Sequence, residues 1–183
     1  MNTQLKEFFI SKIKKTEHVD IDWNDRKSWW LDQLNKLYDL IEEWLGDLKN
    51  QGVTVEKVPK KIYEDHIGDY EAHALIIKVG GECVKFDPVG TIIIASKGRV
   101  DIKGSNGTAM LVLFPKGERP KIDVKVTIDS AIEEPKKAPQ SAVAEPQEYE
   151  WCIVRHGGLR PMYIVLNEKT FLEILRAVMG DDA

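Results

Sequence analysis

The stretch FDPVGTIIIASKGRVDIKG, residues 86–104, sets Asp87 before an apolar run and Asp101 and Lys103 on the segment that follows it. Side chains two apart on a strand share a face, so an extended segment 99–103 points Asp101 and Lys103 the same way. A hairpin that brings Asp87 alongside them would gather two carboxylates and an ammonium. Carboxylate oxygens hold a hard divalent cation such as Mg²⁺. A lysine beside that cation can orient an attacking water or offset charge on a phosphoryl group. These are the parts that hydrolysis of a phosphodiester needs: Asp87 and Asp101 as metal ligands, Lys103 completing a catalytic trio, and Mg²⁺ as the cofactor.

An acid, then an acid-x-lysine on the neighbouring strand, resembles the metal-dependent nucleases of the PD-(D/E)XK type. In a second register, GRVDI…G…MLVLFPK resembles the resolvase-type members, with Asp101 and Lys116 at matching positions and Phe114 where the second acid belongs. The resemblance implies a helix after the third core strand, whereas here strand-like text continues. Asp87-Pro88 also reverses the order of the P-D pair. The competing reading turns Val100 and Ile102 inward and leaves Asp101 and Lys103 on the wet face of an ordinary strand. On that reading Lys97-Gly98 is the turn, and Gly98 supplies a positive φ.

Other groups of polar residues fall to simpler roles. DIDWND, residues 20–25, starts like a calcium loop, but Asp25 and Leu31 stand where an EF-hand needs glycine and glutamate. Its aspartates suit the capping of a helix. YEDHIGDYEAH places Glu71 and His73 on one face of a strand, with Glu64, Asp65, His66 and Asp69 nearby. No G-x-S-x-G, P-loop or G-x-G-x-x-G accompanies them, and Gly68-Asp69 signals a turn, so an exposed hairpin is expected. Cys152 and His156 lack the further ligands that zinc spacing requires. Lys97, Arg99, Lys103, Lys116, Arg119, Lys121 and Lys125 make the middle of the chain basic, diluted by Asp101, Glu118 and Asp123. Few aromatic residues interleave with them as stacking platforms, which gives nucleic-acid binding weak support.

The elements that must position these residues follow from periodicity. An amphipathic helix is expected over 3–15, with Leu5, Phe8, Phe9 and Ile13 on one face. A long helix over 25–49 carries Trp30, Leu34, Leu37, Ile41, Trp44 and Leu48 at steps of four and three, with Leu31, Tyr38 and Leu45 beside them. That wide stripe suits a helix laid on a sheet; dimerisation through it is the alternative. From 53 to 129 the text turns to strands: Val53–Val58, Lys61–Ile67, Tyr70–Val79, Glu82–Phe86, Thr91–Ser96, Arg99–Lys103, Thr108–Phe114 and Lys121–Ile128. Short turns such as Gly80-Gly81 and Pro88-Val89-Gly90 join antiparallel neighbours. Residues 130–148, with Pro135, Pro139 and Pro146, read as a flexible linker. Residues 149–183 read as a strand–strand–helix element, too small to hold a core alone, which packs on the main domain or on a partner.

The expected fold class is therefore α+β. Two N-terminal helices pack on an antiparallel, strongly curled sheet or partial barrel (main domain 1–129), and the C-terminal element follows. The chain has 183 residues, 43% of them hydrophobic, and a net charge of −4. Overall charge gives no drive toward nucleic acid or an anionic membrane. Its two cysteines, Cys83 and Cys152, lie in apolar text and suit buried thiols. No run approaches the length of a membrane span, and MNTQLKEFFISKIKK lacks the apolar core of a secretory signal. A cytoplasmic location is expected. Abundant packing signals without a complete catalytic set favour a non-catalytic binding or accessory protein, its partner another protein or a second copy of itself. It needs no cofactor. The alternative is a divergent Mg²⁺-dependent nuclease using Asp87, Asp101 and Lys103.

Overall fold

The computed structural model describes residues 22–91, 96–118, 147–157 and 160–180. The expected helix over 3–15, the expected strand over 121–128 and nearly all of the expected linker over 130–148 lie outside the described residues. So do residues 92–95 of the strand expected at Thr91–Ser96.

The first helix described, α1, spans Trp23–Trp44. Asp22 starts it by accepting hydrogen bonds from the backbone N–H of Asn24 and Asp25, at 2.9 and 3.1 Å. This satisfies two of the donors a helix N-terminus leaves open. The helix was expected to run to Lys49. Instead the chain tightens after Leu45 into a 3₁₀ turn, Gly46–Gln51, where Gly46 favours helix continuation poorly. Trp30, Leu34, Leu37, Tyr38 and Ile41 are all buried, as the stripe requires.

Seven antiparallel strands form one sheet in strict sequence order: β1 (Thr54–Glu64), β2 (Gly68–Val79), β3 (Glu82–Gly90), β4 (Arg99–Lys103), β5 (Thr108–Pro115), β6 (Tyr149–Gly157) and β7 (Arg160–Val165). Among the described residues the sheet is open, with β1 and β7 as its edges. Three strand boundaries differ from expectation: the turn expected at Gly68-Asp69 lies at residues 65–67, with Gly68 and Asp69 already in β2, and the other two differences are at prolines. Val53–Val58 and Lys61–Ile67 are not separate strands but one, running through Pro59 opposite His73. A proline is tolerated there because, among the described residues, β1 is an edge strand paired on one side only. Likewise Pro88-Val89-Gly90 is not a turn. β3 runs on to Gly90, and its register against β4 shifts between Pro88 and Gly90, a bulge that absorbs the irregular residues.

The C-terminal element belongs to the same sheet: β6 pairs with β5 from Met110↔Val154 to Pro115↔Tyr149. The second helix, α2 (Glu168–Met179), opens with a capping box in which Asn167 and Thr170 satisfy each other's backbone N–H. It is tied to the β4–β5 turn by Asn106 N–H donating to the Val178 carbonyl at 2.8 Å.

α1 and α2 share one core with the sheet, containing Trp30, Leu37, Leu75, Phe86, Ile102, Leu111, Ile153, Phe171 and Ile174. Ring pairs knit it across long sequence distances: Trp30 with Trp151 at 6.0 Å and Trp44 with Phe171 at 5.2 Å between centroids. Each fully buried aliphatic or aromatic side chain contributes about 1.5–3 kcal/mol. Gly98 is part of this packing. It does not adopt the positive φ expected of it. A Cβ there would lie 2.2 Å from Cζ3 of Trp30, so glycine is needed for close approach, not for backbone freedom. No described helix is long and apolar enough to cross a membrane.

Candidate functional site

The register of β3 against β4 decides which candidate residues meet. Phe86 faces Ile102, Asp87 faces Asp101, and Lys85 faces Lys103. Phe86, Val100 and Ile102 are wholly buried. The opposite parity puts Lys85, Asp87, Asp101 and Lys103 together on the other side of the sheet. The structure thus brings Asp87, Asp101 and Lys103 onto one face, by direct pairing of β3 with β4 and not across an intervening strand.

Asp87 is the least ordinary of them, with only 8% of its surface exposed. Lys60 Nζ reaches one carboxylate oxygen at 2.6 Å, and Lys103 Nζ the other at 2.9 Å. Lys85 Nζ stands 3.3 Å from the first. Lys60 comes from β1, so its side chain crosses β2 to arrive. Ala72 of β2 lies opposite it. Lys60 also donates to the Pro88 carbonyl at 2.7 Å. Burial alone pushes the Asp87 carboxyl upward. Hydrogen bonds from Lys60 and Lys103, the charge of Lys60 and the contact with Lys85 overcome it and hold the group down at about 2. Lys103 is pushed up in turn, first by its hydrogen bond to Asp87 and then by that group's charge. Asp101 is engaged separately: Arg99 grips it with Nε at 2.7 Å and Nη2 at 3.2 Å, the two-pronged geometry guanidinium favours. Among the described residues no group of three or more His, Cys, Asp or Glu is placed to hold a metal ion.

A second polar cluster has no forewarning in the sequence. Glu64, expected on an exposed hairpin, is buried at 6% exposure. It accepts from the Thr91 backbone N–H at 2.7 Å, the Thr91 hydroxyl at 3.0 Å and the Tyr70 hydroxyl at 2.5 Å. Arg26 of α1 closes over it, donating to the Thr91 hydroxyl and carbonyl at 3.0 and 2.9 Å. Gly90, with φ of 148°, leaves room for the carboxylate; a Cβ there would come within 2.6 Å of Glu64 Cδ. Burial, then the Glu64 hydrogen bond and charge, push the Tyr70 hydroxyl well above its usual range. The cluster ties α1, the β1–β2 hairpin and the end of β3 together.

The remaining candidates separate. His66 takes a left-handed conformation, φ 72°, at the hairpin tip and stacks on Trp23 at 5.0 Å. Glu71 and His73 are exposed, and the His73 carbonyl accepts from Tyr38 at 2.6 Å. Cys83, expected to be buried, is exposed, because it sits on β3 in the parity opposite the core residues Val84 and Phe86; Cys152 is buried. Apart from these groups, an apolar groove of about 420 Å³ lies between the end of α1 and α2, walled by Trp44, Leu45, Leu48, Phe171, Leu172 and Leu175.

Compared with known proteins, the chain matches no family model, no curated protein and no solved structure.

Proposed function

We propose that the chain is a non-catalytic cytoplasmic binding or accessory protein that acts through contacts with another protein or a second copy of itself. The observation that carries this reading is the state of the two carboxylates that would hold a metal. Asp87 is surrounded by three lysine ammonium groups, and Asp101 is gripped by Arg99. A divalent cation entering here meets cations already seated on its ligands. Support for protein contact comes from the groove beside α2, where Leu48 and Leu172 remain 40% and 49% exposed.

A second reading is favoured by the register itself, which sets Asp87 opposite Asp101 with Lys103 on the same face. It is the divergent Mg²⁺-dependent nuclease, in which Asp87 and Asp101 bind the metal and Lys103 stabilises charge on the phosphate. One experiment separates the two. Purified protein is incubated with DNA and with RNA in Mg²⁺ and in Mn²⁺. The binding reading expects no cleavage. Metal-dependent cleavage that disappears in Asp87→Ala, Asp101→Ala and Lys103→Ala alike overturns it in favour of the nuclease.

A further inference from the structure

We propose that the face of the sheet around Asp87 binds a small, doubly charged oxyanion, and that a phosphate monoester is the ligand class it fits. Lys60, Lys85 and Lys103 all lie within 2.6–3.3 Å of the oxygens of one carboxylate. Among the described residues, three positive charges against one negative leave the cluster two charges in excess. Arg99 and Asp101 beside it cancel each other. Ammonium groups gathered around a single carboxylate repel one another, and Asp87 offsets only part of that repulsion. A dianion resting on the cluster balances it.

Geometry agrees with charge. The side chains of Lys85 and Lys103 are 43% and 50% exposed. Each ammonium carries three donors, so contact with Asp87 leaves donors for a ligand. Asp87 holds the amines in place while remaining buried beneath them. Beside Lys103 the surface sinks into a pocket of about 200 Å³, with Arg99, Thr108, Met110 and His156 in its wall. Asp101 lines it too, its charge taken up by Arg99. That pocket offers polar and apolar contacts to the organic part of a small ester. A long polyanion fits less well, since the cluster is compact and the chain as a whole carries −4.

The test is titration of the full chain with inorganic phosphate and with phenyl phosphate at constant ionic strength, followed through backbone amide NMR shifts. The proposal expects one saturable site with shifts centred on residues 85–87 and 101–103, and tighter binding of phenyl phosphate than of phosphate. Lys85→Gln and Lys103→Gln should each weaken binding about tenfold or more, the loss of one charge-assisted hydrogen bond. Lys116→Gln, at a lysine paired with Glu148 beyond β5, should leave it unchanged. Shifts that never saturate, or an equal loss in Lys116→Gln, overturn the site. Weaker binding of phenyl phosphate than of phosphate overturns the assignment to esters. Tighter binding of a short single-stranded oligonucleotide at equal phosphate concentration, lost in the same variants, overturns it in favour of a nucleic-acid backbone.

Discussion

Asp87→Asn keeps the shape of the side chain and one carbonyl acceptor but removes the charge on which three lysines converge. The loss can be worked from the carboxyl's own titration. Its value falls from 3.8 to about 2 in the folded chain. Each unit corresponds to about 1.4 kcal/mol, so the ionised group stabilises the fold by about 2 kcal/mol at neutral pH. The Asp87 side chain is only 11% exposed, but Lys85 and Lys103 are 43% and 50% exposed, so solvent screens part of the attraction and about 2 kcal/mol is its upper value. Because the folded value is the lower one, protons bind the unfolded chain more tightly. The stabilisation is therefore full above about pH 5, starts to fall as the pH approaches 3.8 and is lost as the pH drops through about 2. Urea unfolding of wild type and Asp87→Asn should show a gap of up to about 2 kcal/mol at pH 7 and at pH 5, shrinking to about half at pH 3. A gap that stays the same at pH 3, or none at pH 7, would show that the lysines do not depend on the Asp87 charge.

Three further outcomes follow from the packing. Gly98→Ala drives a methyl group into the Trp30 ring, 2.2 Å away, and should lower stability by about 1–3 kcal/mol; Trp30→Leu in the same chain should recover part of that relative to Trp30→Leu alone. Glu64→Gln puts an amide N–H₂ donor where a carboxylate oxygen now accepts from Thr91 or Tyr70, and should cost about 1–3 kcal/mol in urea unfolding. Leu37→Ala, at a site 1% exposed, should cost about 2–5 kcal/mol, read as a lower midpoint with an unchanged m-value.

Much of the architecture is legible in local pattern. The stripe on α1 announces its buried face, and the alternation Val100, Asp101, Ile102, Lys103 announces the two sides of β4. The prolines mislead, because the same residue that ends a central strand is accommodated at an edge or a bulge. The alternation Val84, Lys85, Phe86, Asp87 already pointed past the apparent turn at Pro88. Following it would have placed Lys85 beside Asp87 and exposed Cys83. Lys60 had no such signal: it reaches Asp87 from two strands away, and only the register of three strands reveals the contact. Glu64 is similar, since its partners Tyr70 and Thr91 are set by how the hairpin lies against β3. Gly98 shows the limit of residue type. Freedom of φ and absence of a Cβ are both properties of glycine, and the fold uses the second.

The strictly sequential strand order sets a timetable for the nascent chain. Strands β2 to β5 each pair with the strand made just before them, so their ladders can close as they emerge, the local kind of contact that forms quickly. α1 cannot be satisfied on that schedule. Among the described elements it is made first, yet Trp30 meets Trp151 and Trp44 meets Phe171, residues synthesised more than a hundred positions later. At about 5–20 residues per second, the apolar stripe on α1 waits on the order of ten seconds for the rings that finally cover it. Until then α1 packs only on the earlier strands, through residues such as Ile62, Leu75 and Phe86, and the core is completed by the elements made last.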